Sequence, residues 1–208
     1  MFQIPNFYLF LAVSLLINLS PGPDMIYTIA RSLSQGTRAG ILSALGIGAG
    51  CLFHISAAVF GLSKIIEESV LLFSIIKYAG AAYLIYLGVR SIMNKGSKTE
   101  DKALPPKSGR RIFFQGTLTN MLNPKVAIFF LSFLPQFIDP KSVFLKEQIA
   151  FLGFWFDAQG ALVLIFVAIV AGYFKRILQE NGRFWSGQQK LTGTILLVLG
   201  VKMIFSKK

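Results

Sequence analysis

Asn18-Leu19-Ser20-Pro21-Gly22-Pro23-Asp24 interrupts one apolar run of this chain, and Asn120-Met121-Leu122-Asn123-Pro124-Lys125 interrupts another. Proline removes a backbone donor and its ring clashes with the preceding turn, so a helix must break or kink at each place. Both runs are long enough to enter a bilayer. Hydrocarbon tolerates broken backbone only where it is buried in protein or lines a wet cavity. Two such breaks at corresponding positions of two halves point to the substrate site of a secondary transporter.

The rest of the chain fits that setting. Its 208 residues are 54% hydrophobic and 14% charged, against about 25% charged in a soluble domain. The charges cluster and leave long apolar gaps, as in a polytopic membrane protein with little mass outside the lipid bilayer. The single cysteine, Cys51, excludes an internal disulfide or dithiol pair, and the single histidine, His54, leaves no His/Cys metal cluster. No metal or cofactor is expected. A net charge of +12 would suggest nucleic acid in a soluble protein. Here the basic residues fall between apolar segments, where membrane topology puts them, and no nucleic-acid partner is expected. Met1-Phe2-Gln3-Ile4-Pro5 carries no Lys or Arg, so the first segment reads as a retained span and not as a signal peptide.

A bilayer core of ~30 Å needs ~20 apolar residues per helix. Six segments qualify: 7–29, broken at Pro21–Pro23; 39–62; 70–88, with Lys77 inside it; 112–133, broken at Asn123-Pro124; 149–174, with Asp157 inside it; and 191–205. Residues 91–111 form a polar linker with Gly and Pro. The expected fold is an all-α integral membrane protein of six transmembrane helices, arranged as two three-helix inverted repeats with helices 1 and 4 broken. The first repeat spans residues 1–92, a cytoplasmic basic linker 93–111, and the second repeat 112–208. Tyr86-Leu87-Gly88-Val89-Arg90 echoes Val198-Leu199-Gly200-Val201-Lys202, and the two breaks align Pro21 with Pro124. Three helices per half, an odd number, insert the halves in opposite orientations, as in many transporters. The loops after the first, third and fifth segments carry thirteen Lys and Arg, Arg31 among them, against six on the other side. The basic side is read as cytoplasmic, which places both termini outside.

Several residues at the breaks can carry chemistry. After Pro21-Gly22-Pro23 a helix restarts with amide donors facing the gap, and those donors suit a carboxylate such as that of an amino acid. Asp24 sits in the first turn of the restarted helix, either as a cap or as a functional charge held near mid-bilayer. Asn120 and Asn123 precede Pro124 and either bind substrate or satisfy freed backbone. Lys125 follows at a helix start, where the dipole disfavours a cation. It either pairs with Asp24 or Asp157, or snorkels to an interface. Asp157 reads as a proton relay, an ammonium partner or a structural pair, about 12 Å deep in its span. Histidine changes charge near neutral pH, and His54 is either such a group or a hydrogen-bonded core residue. Gly46-Ile47-Gly48-Ala49-Gly50 reads as a helix-packing face, and its small residues also permit a homodimer.

Ser20-Pro21-Gly22-Pro23, the glycines 36, 40, 46 and 50, Gly116 through Asn120, Leu122-Asn123-Pro124-Lys125, Phe133-Leu134-Pro135-Gln136-Phe137 and Leu199-Gly200 occur in this order over nearly the whole chain. In this it resembles the LysE/RhtB family of small amino-acid exporters. The resemblance implies a bacterial inner-membrane exporter of amino acids or close derivatives, driven by the proton motive force. Export rather than import rests on this likeness alone. The residues and the resemblance together give one expectation, that this is a proton antiporter and not an enzyme. Ser20, Pro21, Gly22, Pro23, Asp24, Asn120, Asn123, Pro124 and Lys125 would bind the amino-acid substrate, and Asp24, Asp157 and His54 would couple protons. The alternative is an exporter of another small solute or a metal ion on a related inverted-repeat scaffold.

Overall fold

The computed structural model describes residues 4–62, 70–93, 106–140, 142–173 and scattered positions between 187 and 205. It is all-helical, with no strand among the described residues. Residues 191, 192, 195, 196, 199, 202 and 203 of the sixth expected segment and residues 94–105 of the linker lie outside the described residues.

Helix α1 (Phe7–Leu19) ends at the first break and α2 (Pro23–Gln35) restarts after it. Pro23 occupies the first helical position of α2, where its missing N–H costs nothing and its fixed φ suits the helix. The two helices are bent by 51° and together are long and apolar enough to cross a bilayer. α2 continues to Gln35, beyond the expected end at residue 29. Gly36, with φ of 85°, then makes the turn into α3 (Thr37–Ala57), which runs on through a wide π turn at Ala58–Leu62. α4 spans Val70–Met93. α5 (Gly109–Met121) ends at the second break, and Pro124 opens α6 (Pro124–Ile128). The chain beyond α6 is not one clean helix. It widens into a π turn at Phe129–Phe133 and tightens into a 3-10 turn at Leu134–Phe137. α7 (Leu145–Tyr173), with 29 residues, is about 44 Å long. It and Thr37–Leu62 are each long and apolar enough to span a membrane.

α3 is the central helix and packs on α5, α7 and α2. The glycine-rich segment makes its contact with α5 possible. A side chain at Gly46 or Gly50 would overlap the backbone at Phe113 or Thr117, and Gly116 of α5 lies against Ser43 in return. Two apolar clusters flank the breaks. One is aromatic: Phe10, Phe129, Phe130, Phe133, Phe137 and Phe156, with the rings of Phe129 and Phe156 stacked 4.0 Å apart. The other is aliphatic, built on Met25, Ile29, Ala44, Ile47, Val163 and Leu164. The outer faces stay apolar: Leu118 and Leu122 near the second break, and Leu162 and Phe166 on α7, are all exposed. Water would not favour such a surface, and lipid would.

Candidate functional site

The two breaks meet between the aromatic and aliphatic clusters. Asp24, in the first turn of α2, is buried, and its Oδ2 accepts hydrogen bonds from Asn120 Nδ2 at 2.9 Å and Asn123 Nδ2 at 2.8 Å. Both asparagines belong to the second break, so the carboxylate of the first break is held by amides of the second. Asn123 has a second task. Its Oδ1 accepts from the Lys125 amide at 3.0 Å and so caps α6.

Lys125 goes elsewhere than to a carboxylate. Its Nζ donates to Ile17 O at 3.2 Å, Ser20 O at 3.0 Å and Ser20 Oγ at 3.1 Å. The sequence expectation that Lys125 pairs with Asp24 or Asp157 is met by charge attraction to Asp24 without a hydrogen bond: Oδ2 serves the asparagines, and Oδ1 has no hydrogen-bond partner. The other expectation, snorkelling to an interface, is replaced. The dipole explains the arrangement. A cation is disfavoured at the start of α6 and favoured at the carbonyl end of α1, and the flexible stem lets the ammonium cross from one to the other. Gly22 leaves room for it, since a Cβ there would lie 3.1 Å from Nζ.

Beside these groups is a small, partly open cavity of about 30 Å³. Its polar lining is Asn18, Ser20, Asp24, Cys51, Asn120, Lys125 and Asp157, and Met25, Ile47, Val126, Phe156 and Leu164 close the apolar side. Asp157, half-buried on α7, faces the cavity across Gly48 and beside Cys51. Of the residues singled out in the sequence, Ser20, Asp24, Asn120, Lys125 and Asp157 therefore share one wall-lined space. Pro21, Gly22, Pro23, Asn123 and Pro124 shape the breaks without lining it. His54 is buried behind it, its Nε2 2.9 Å from Asn120 O and its ring stacked on Phe130. It touches the last turn of α5, just before the second break.

Two buried oxygens of the lining lack a hydrogen-bond partner: Asp24 Oδ1 and Asn120 Oδ1. Both are acceptors. Buried acceptors in proteins are nearly always satisfied, so these two atoms are positioned to take donors from whatever occupies the cavity.

A second polar network was missed from the sequence. Arg31, read there as a loop charge, is 1% exposed on α2. It donates to Gln35 Oε1 at 3.0 Å and Gln115 Oε1 at 3.2 Å, and its guanidinium lies over the Tyr27 ring. Tyr27 donates to Ile112 O, and Gln35 pairs with the Lys107 backbone through both of its amide atoms. The signal was present: Asp24, Thr28, Arg31 and Gln35 recur at helical spacing and mark one polar face of α2. Ser14 and Gln159 are a further missed pair, joined at 2.7 Å between α1 and α7.

Comparisons with known proteins agree with this setting. The family model for the LysE type translocator matches residues 15–207. Uncharacterized membrane protein YrhP of Bacillus subtilis is 34% identical over 202 residues, covering 93% of this chain and 95% of its own. The homoserine/homoserine lactone efflux protein of Salmonella typhimurium is 34% identical over 142 residues, 68% of this chain and 69% of its own. An uncharacterized membrane protein of Vibrio cholerae is 27% identical over 198 residues, 95% of this chain and 96% of its own. No solved structure matches.

Proposed function

The chain belongs to the LysE type translocator family, and on that premise we propose that it exports an amino acid or a close derivative across the bacterial inner membrane in exchange for protons. The observation that carries this reading is the cavity wall of Asp24 and Asn120, with two buried acceptor oxygens and no donor for either. An ammonium group offers three donors and a positive charge to such a wall. The efflux relative from Salmonella is named for homoserine and homoserine lactone. Both compounds carry an ammonium, whereas only the open acid carries a free carboxylate. A site that reads mainly the ammonium would serve either.

In this reading the substrate ammonium sits on Asp24 Oδ1 and Asn120 Oδ1. A substrate carboxylate, where present, turns toward the start of α2, and the side chain lies along Met25, Ile47 and Leu164. Asp157 faces the same space and is the second carboxylate able to take a proton as substrate leaves. His54 acts through the Asn120 carbonyl. The membrane frame of the proposal is six helices in two inverted three-helix repeats, residues 1–92 and 112–208, with the basic linker cytoplasmic and both termini outside. A homodimer is compatible with it.

Proteoliposomes containing the purified chain test this directly. Labelled homoserine and a panel of other amino acids are loaded inside, with and without an imposed proton gradient. Gradient-stimulated efflux of one or a few of them is the expected result. Efflux of none, from protein that melts cooperatively, would overturn the reading and favour another small solute.

A further inference from the structure

The end of α1 presents three oxygens to one point: Ile17 O, Ser20 O and Ser20 Oγ, each 3.0–3.2 Å from the Lys125 ammonium. Unwound carbonyls at the C-terminal ends of half-helices are where broken-helix transporters hold their coupling cations. We infer that the end of α1 is a monovalent-cation site which the chain fills with its own Lys125 ammonium, so that transport needs neither Na⁺ nor K⁺ as a co-substrate. The inference rests on the secondary-transport reading of this site and adds to it the identity of the cation.

Three features support it. The ligands are neutral oxygens at the negative end of a helix, a set suited to a single positive charge. The ammonium makes its hydrogen bonds to this oxygen set and not to Asp24, whose own two go to asparagine amides, while the two opposite charges attract each other without a hydrogen bond. Finally, Gly22 keeps the space beside Nζ clear, where a Cβ would come within 3.1 Å. The other charged or titratable groups near the ammonium make no hydrogen bond to it, although the charge of Asp24 attracts it. They are Asp24 on α2, His54 and Cys51 on α3, and Asp157 on α7. Lys125 thereby ties the second half of the chain to the first break, a task that a free ion would leave to solution.

The test uses the full chain, purified in detergent, with thermal melting as the main readout and labelled homoserine counterflow as the second. In wild type, replacing Na⁺ and K⁺ by N-methylglucamine should change neither. Lys125→Ala empties the site. It should melt lower and slow counterflow by about tenfold or more, the effect of losing a charge-assisted hydrogen-bond set. Ethylammonium or Na⁺ should restore part of the loss. Lys125→Met fills the space with an apolar chain and should respond to neither cation. Should Lys125→Ala fail to fold, its purification is repeated in ethylammonium, and recovery only with that cation supports the inference. A wild type that needs Na⁺ or K⁺ overturns it. So does a Lys125→Ala protein that melts normally, or one whose deficit no cation reduces. Melting does not depend on transport, so an absence of homoserine counterflow would count against the transport reading and leave the cation site to be judged by melting alone.

Discussion

The two breaks are built differently. The second supports itself: the chain leaves α5, passes Leu122 and Asn123, and restarts with Asn123 capping its own helix. The first has no side-chain cap at Gly22, and the groups that satisfy it come from the other half. Lys125 closes the carbonyls of Ile17 and Ser20, and Asn120 and Asn123 hold Asp24. One break is local structure and the other is conditional on contact between halves. Were the two breaks to separate in the proposed exchange, the carboxylate, the two amides and the ammonium would all be released in one step. An access change at the first break is thus linked to the second, whereas the second can persist alone.

The largest test of that asymmetry is Asp24→Ala. It leaves the Asn120 and Asn123 amides without their acceptor and removes the proposed ammonium partner. We expect export at background and a stability loss of about 3 kcal/mol or more, from two hydrogen bonds to a charged group. Transport assays and melting in detergent check both. Export near wild type would remove the carboxylate from the mechanism.

Next come the asparagines, compared with each other. Asn120→Ala loses one bond to Asp24. Asn123→Ala loses a similar bond and the α6 cap, worth about 1 kcal/mol more. Asn123→Ala should therefore be the less stable of the two by about that amount. The ranking should persist when each is combined with Asp24→Ala, because the cap does not involve the carboxylate. Equal losses would mean that the second break does not depend on its own cap.

The asymmetry itself was not legible in the sequence, although the breaks were. Proline positions and apolar run lengths are local properties, and they located Pro21–Pro23, Asn123-Pro124 and the long α3 and α7 to within a few residues. Pairing the breaks brings Ser20, Asp24, Asn120 and Lys125 together, whereas Asp157 lies in neither break and reaches the same cavity through the packing of α7. The destination of a long side chain is a different matter. Lys125 has several partners within reach, and only the packing of α1 against the second break selects backbone carbonyls over Asp24. Arg31 was misread for a related reason. A charge counted near a span end looks like a loop residue until the helix is known to continue to Gln35. The paired signal was the polar face of α2, and charge counting hid it.

His54→Gln gives a smaller effect and separates two roles. Gln keeps a donor able to reach the Asn120 carbonyl but cannot carry a proton. If His54 only holds that carbonyl, melting and homoserine counterflow should change by less than about twofold, the scale of a single neutral hydrogen bond in a membrane protein. If it couples protons, counterflow should persist while stimulation by a proton gradient disappears.

The smallest expected effect is the most pointed. Gly22 lies at φ of −166°, an extended backbone that alanine also adopts, so Gly22→Ala introduces no backbone strain. The three atoms nearest the added Cβ all belong to the Lys125 side chain, with Nζ at 3.1 Å and Cε at 3.4 Å. A flexible side-chain end can retreat by a few tenths of an ångström, lengthening its bonds to Ile17 and Ser20. The loss should be about 1 kcal/mol or less. In a Lys125→Met background there is no ammonium contact left to lengthen, and two residues in contact should show this as coupling between the substitutions. A penalty of the same size in both backgrounds would mean that the new Cβ strains the break itself. The first break would then be as self-contained as the second, and the dependence of one half on the other would rest on Asp24 alone.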